Sequence, residues 1–201
     1  MKLVISITLC IVALSINLLA SSPIIDSDMT LKEALKGTKA PADIIEKLEL
    51  VTVEYYSFDN KLHRGQLVLH DSVVEDLKKV FEMMKEDKFP IAKCIPIVKY
   101  DWSDSASMAD NNTSAFNYRF VAGTTNLSNH AKGIAIDFNP VQNPAVYNNG
   151  DISPKGAKFN PKAKGTITED SRYTKFLMDN KWRWGGVWTS LKDYQHFDKP
   201  F

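Results

Sequence analysis

The chain has 201 residues, of which 44% are hydrophobic and 24% charged, enough apolar material to bury one respectable core. Lys and Arg number 25 against 24 Asp and Glu, a formal charge of +1. The charges are dispersed, with no basic stripe and interleaved aromatics to follow a phosphate backbone, which argues against a nucleic-acid partner.

Residues 1–22 stand apart. Lys2 supplies a positive start, residues 3–20 are almost unbroken apolar sequence, and Ala20, Ser21 and Ser22 are small. That layout is a secretory signal peptide, and it predicts an exported, periplasmic or extracellular protein. The competing reading is a retained membrane anchor, since the run approaches bilayer-spanning length. Contact with a membrane is expected only through such an uncleaved segment. Of the two cysteines, Cys10 falls inside the presumed signal and Cys94 is alone in the rest of the chain. A mature domain with one cysteine has no internal disulfide, so its core, a metal, or both must stabilise it.

Residues 23–50 form a lead-in with Pro23, Pro41 and short helical patterns, and residues 51–201 carry the main domain. Segments 51–58 and 61–69 are rich in β-branched and aromatic residues around Asp59-Asn60, which predicts a β-hairpin. Ser72 with Glu75 three positions later matches a capping box, and Val73, Val74, Leu77, Val80 and Phe81 recur at helical spacing, predicting a helix over 72–86. Strands are expected at 95–100 and 134–138. Pro, Gly, Asn and Lys dominate 139–164, which reads as a long loop. A helix fits 169–180, with Tyr173, Phe176 and Leu177 on one face, and an aromatic run around Trp182, Trp184 and Trp188 follows. The expected class is α+β, a small, mainly antiparallel sheet with helices packed on it.

The strongest local signal spans Ser128 to Asp137, where His130, Gly133 and Asp137 fall within one turn-and-strand unit. Strand alternation puts Ala135 and Asp137 on one face and Ile134 and Ile136 on the other, so the isoleucines face the core while Asp137 faces a cleft. Gly133 permits a sharp bend that brings the His130 ring back beside Asp137. A second cluster, Asp193-Tyr194-Gln195-His196-Phe197, lies far along the chain. Two imidazoles and a carboxylate, His130, His196 and Asp137, form a catalytic zinc set that leaves a fourth position for water. Zn2+ is therefore the expected cofactor, with Asp193 the carboxylate that takes the proton from water. Asp193 and His196 are three residues apart and would face opposite ways on a regular strand, so a bend or bulge must separate them.

The pattern SxHxxGxAxD, filled by Ser128, His130, Gly133, Ala135 and Asp137, resembles the zinc D-alanyl-D-alanine carboxypeptidases and their L-alanyl-D-glutamate endopeptidase relatives, a group that includes phage endolysins. The downstream Trp184-Gly185-Gly186-Val187-Trp188 and the carboxylate three before the last histidine are similar to the endopeptidase-like branch. The resemblance covers roughly residues 70–198. It implies the fold shared by hedgehog signalling domains and these peptidases, with a zinc site in a cleft, and a metallopeptidase that cuts peptidoglycan stem peptides. It further implies that His130, Asp137 and His196 bind zinc and that Asp193 is catalytic, where many relatives carry glutamate. Arg119 matches the arginine that holds substrate and stabilises the oxyanion. Ser128 is the corresponding substrate- or ligand-bonding hydroxyl.

Trp188 is a candidate wall of the substrate groove, while Trp182 and Trp184 read as core. His63 and His70 read as structural or solvated, Asp198 as a solvated carboxylate, and Cys94 as a small buried hydrophobe. The expected assembly is a monomer. The main alternative is a zinc-containing cell-wall or protein-binding module without catalysis. The same chemistry on another peptide is a third reading.

Overall fold

The computed structural model describes residues 22–200, so the expected signal segment lies, apart from Ser22, outside the described residues. In chain order the elements are β1 (Ile24–Ile25), α1 (Leu31–Ala34), α2 (Ala42–Ile45), β2 (Leu48–Tyr56), β3 (Leu62–His70), α3 (Val74–Glu86), β4 (Lys93–Cys94), α4 (Asp104–Ala109) and β5 (Asn112–Thr113). There follow β6 (Ala135–Asp137), β7 (Ala145–Tyr147), β8 (Ile152–Ser153), α5 (Arg172–Asp179), β9 (Arg183–Trp184), β10 (Leu191–Asp193) and β11 (His196–Asp198). The class is α+β, but the described strands divide among four small, mostly antiparallel sheets rather than forming one. No helix among the described residues is long and apolar enough to cross a membrane.

The hairpin of β2 and β3 is the platform. Its turn forms where expected: Asn60 takes a positive φ of 60°, and the Asp59 side chain accepts from the Lys61 amide at 2.9 Å. β3 lies between β1 and β2 and is covered on both faces, as a central strand should be. Leu67 and Leu69 join Val51, Val53 and Tyr55 in a core shared with Leu77, Val80, Phe81 and Met84 of α3. Val68 instead joins Ala34, Leu48 and Phe116 on the opposite face, where Leu31 and Ile44 of the lead-in pack.

Two local expectations are corrected. The capping box at Ser72 and Glu75 does not form, because residues 71–73 adopt a 3-10 turn in which the His70 ring accepts from the Ser72 amide. The capping box that does form is Thr30 with Glu33, on α1. Segment 95–100 is not a strand: Pro96 starts a 3-10 turn over Ile97–Tyr100, and only Lys93–Cys94 pairs, in parallel with β5. Segment 139–164 is less irregular than its composition predicts, since it contains β7 and β8. Its anchors are the buried Asn139 and Asn143, whose side-chain amides donate to the carbonyl oxygens of Pro90, Phe138 and Gly165. The expected helix at 169–180 begins only at Arg172.

Beyond β1, the free edge of β3 carries the segment that holds the site. The Phe116 amide donates to Val68 O at 3.1 Å, and the His70 amide donates to Gly133 O at 2.9 Å. Segment 114–134 is thus hung on the platform at both ends.

Candidate metal centre

Gly133 is required twice over. Its φ is +71°, closing the 3-10 turn Asn129–Lys132, and a Cβ there would lie 2.7 Å from the His70 backbone nitrogen. That turn, capped by Ser128 Oγ accepting from the His130 amide, points the His130 ring inward, where its Nδ1 meets Ala115 O at 2.6 Å. With Nδ1 donating to that carbonyl, Nε2 is left facing the cleft. β6 then delivers Asp137, with Ile134, Ile136 and Phe138 in the core as alternation predicts.

His196 arrives from the antiparallel partner of β6: in the β11/β6 register it sits directly across from Asp137. Residues so paired project from the same face of the sheet. His196 Nδ1 lies 3.0 Å from Asp137 Oδ1 and 3.1 Å from His130 Nε2, and His130 Nε2 is 3.3 Å from Asp137 Oδ1. Exposures of 3%, 4% and 9% for His130, Asp137 and His196 place the triangle below the surface. Among the described residues this is the group of His, Cys, Asp and Glu whose donor atoms converge within ligand range. Ligands about 2.0–2.1 Å from a tetrahedral ion stand about 3.3 Å apart, so the triangle is close to the size such an ion requires.

The surroundings hold the triangle in that state. Burial disfavours charge on Asp137, but the adjacent His130 and His196 rings overcome it and keep the carboxyl well below the usual carboxylate range. Burial likewise opposes the His196 cation, yet Asp137 and Asp198 carry its pKa up to about 10. The carboxylates thus favour positive charge at this point of the cleft, as expected of a ligand set preorganised for a cation. Asp198 is not the solvated carboxylate expected. It is 2% exposed, lies 3.6 Å from His196 Nε2, and accepts from Asn129 Nδ2 at 2.7 Å and from both Arg183 Nε and Nη2. No motif flagged it, because its importance depends on Arg183 and Asn129, 15 and 69 residues away.

The bend expected between Asp193 and His196 is a change of sheet. Asp193 ends β10, paired with Ala145 of β7, whereas His196 opens β11, paired with β6 and β9. Gly185 makes that close approach possible, since a Cβ there would fall 2.4 Å from Asp193 O. Asp193 consequently lines the same cleft as His130, Asp137 and His196, a cavity of about 470 Å³. Its Oδ1 is buried with no hydrogen-bond partner. Burial first, and the Asp137 charge second, push its pKa up to about 6.

The remaining candidates reach the cleft from other segments. Arg119 and Ser128 face one another across a short loop, joined by Ser128 N donating to Arg119 O at 3.0 Å, and both line the cavity. Arg119 Nη2 pairs with Asp104 Oδ2 at 3.0 Å, while its Nε is buried without an acceptor. Trp188 lines the cavity with its ring centroid 5.4 Å from that of His196, whereas Trp182 and Trp184 are buried in the core. His63 is structural, its Nδ1 3.0 Å from Asp26 and its ring stacked on Tyr55, and Cys94 is a buried free thiol. Asp104, on α4, is a further cleft residue that sequence reasoning did not identify, as are Tyr147 and Arg183.

No curated protein and no solved structure matches this chain. A family model does: residues 122–199, which hold His130, Asp137, Asp193 and His196 and reach the end of β11, match the D-alanyl-D-alanine carboxypeptidase family model.

Proposed function

We propose that the protein is a zinc peptidase that hydrolyses the stem peptides of peptidoglycan, either at an L-alanyl-D-glutamate bond or at a terminal D-alanyl-D-alanine bond. One observation carries the reading. Three donor atoms from segments 59 and 66 residues apart converge at 3.0–3.3 Å on the wall of a cleft, beside a carboxylate with an unpartnered oxygen. A cavity of about 470 Å³ suits a short peptide.

His130 Nε2, Asp137 Oδ1 and His196 Nδ1 are the atoms that would hold the zinc. When bound, the ion supplies a Lewis acid that polarises a carbonyl and lowers the pKa of water toward neutrality. Asp193 takes the proton of the attacking water and returns it to the leaving amine, a role that needs a carboxylate with a free lone pair facing the substrate. Arg119 offers its unpartnered Nε–H to the carbonyl oxygen, which gains negative charge as the tetrahedral intermediate forms. Ser128 and Trp188 line the same space and would contact the peptide on either side of the scissile bond. The apolar 1–22 segment supports an exported location, where the wall lies.

The test is incubation of the zinc-loaded chain with defined stem peptides, with products weighed by mass spectrometry. Wild type should release one fragment pair, and Asp193→Asn should keep its zinc and release none. If wild type with zinc bound leaves every stem peptide intact, the site serves binding rather than hydrolysis.

A further inference from the structure

We propose that Asp104 positions Arg119 and sets the charge selectivity of the cleft, holding the guanidinium in one pose and cancelling its charge so that an uncharged carbonyl is preferred over a free carboxylate. The inference rests on the peptidase reading and narrows the chemistry that the site accepts next to Arg119.

Asp104 opens α4, in a part of the chain that precedes the family match at 122–199. Ser103 caps the helix by accepting from the Ala106 amide at 3.2 Å, which fixes where the Asp104 side chain emerges. One Asp104 oxygen lies 3.0 Å from Arg119 Nη2, and the other accepts from Asn117 Nδ2 at 3.4 Å. Asn117 is itself anchored, its amide donating to His130 O at 3.1 Å. Asp104 therefore ties Arg119 to the turn that carries His130.

Beside this pairing, Nε is a guanidinium donor that is buried in the wall of the cavity without a protein partner. A donor so placed calls for an acceptor from the substrate. Arg183 is the other Lys or Arg side chain lining the cavity, and Asp198 neutralises it through two hydrogen bonds. Both guanidinium groups facing the cleft are thus matched by a carboxylate. The phenol of Tyr147, pushed up by burial first and then by Asp193 and Asp104, feels the same cluster of charges from across the cleft. Partly exposed ion pairs add little to stability, so holding the fold together is a poor account of why a carboxylate sits here. A charge-neutralised guanidinium that keeps a buried, unpartnered Nε–H is well suited to an amide oxygen and poorly suited to an anion.

The experiment uses the full zinc-loaded chain carrying Asp193→Asn in every arm, so that peptides survive the measurement. Calorimetry compares acetyl-D-alanyl-D-alanine with its C-terminal carboxamide, and nitrogen-15 NMR follows the Arg119 Nε–H signal. With Asp104 intact, the carboxamide should bind at least as tightly as the acid and the Nε–H signal should be sharp. With Asp104→Asn, the preference should turn toward the acid by about fivefold, the upper range for a partly exposed ion pair, and the signal should broaden. Asp104→Glu should restore both. An unchanged preference, or an Nε–H signal as sharp in Asp104→Asn as with Asp104 intact, overturns the proposal. Should neither peptide bind with Asp104 intact, the peptidase reading fails, while the Nε–H signal still decides whether Asp104 holds Arg119.

Discussion

Replacing Asp198 by asparagine tests how far the metal centre depends on a group that is not one of its ligands. Asp198 is 2% exposed and receives Arg183 Nε at 2.8 Å, Arg183 Nη2 at 2.6 Å and Asn129 Nδ2 at 2.7 Å, with His196 Nε2 at 3.6 Å. It thereby links β9, β11 and the turn that carries His130. An asparagine would turn an N–H against the guanidinium and remove the charge that fixes which His196 nitrogen faces the cleft. Loss of such a supporting carboxylate costs about 10–100-fold in metal affinity, or roughly 1.4–2.7 kcal/mol. The fold should lose about 1–3 kcal/mol rather than the full cost of an orphaned buried ion, because the Arg183 side chain is 54% exposed and water can solvate it. Zinc affinity is read by competition with a chromophoric chelator, and stability by thermal melts in excess chelator. A melting point lower by about 2–4 °C per kcal/mol is expected for a domain of this size. An affinity within about twofold of wild type, with the fold intact by circular dichroism, would refute the supporting role.

Three further outcomes are expected. Asp193, raised from 3.8 to about 6 by burial and by Asp137, binds its proton more tightly in the folded than in the unfolded chain, so the metal-free protein loses stability as pH climbs from about 4 to about 6. Asp193→Asn should abolish that loss, matching wild type near pH 4 and exceeding it above pH 6 in melts under chelation; parallel profiles for the two proteins would contradict the assignment. Gly133→Ala should destabilise by about 2–4 kcal/mol, from the left-handed backbone and the clash of its Cβ with the His70 nitrogen, and should weaken zinc binding as the His130 turn shifts. Unaltered melting and zinc titration curves would count against it. The Cys94 thiol, fully buried and pushed well up by that burial, should resist a thiol reagent in the native protein and react once denaturant unfolds it. Rapid native labelling would show that the core around β4 opens.

Local chemistry made several features readable before any coordinates. The β2–β3 hairpin and α3 follow from side-chain period and from Asp59-Asn60, interactions that close within a few residues. The grouping of His130 with Asp137 was equally legible, since Gly133 and strand alternation act over seven residues of chain. Reading failed where distant partners outvote local preference. Segment 95–100, β-branched by composition, turns at Pro96 because only Lys93–Cys94 finds a partner strand. Loop 139–164 is ordered by asparagines whose acceptors lie on other segments.

The residue types of the candidate metal site, and the bend needed between Asp193 and His196, were thus legible in the sequence alone. Tertiary structure decided that the bend is a change of sheet, that Asp198 is a buried support and not a solvated charge, and that Asp104 pairs with Arg119 in the lining of the cleft. The physical reason is range: side-chain period and turn chemistry act over a few residues, whereas burial and ion pairing depend on which distant strands meet, and in what register.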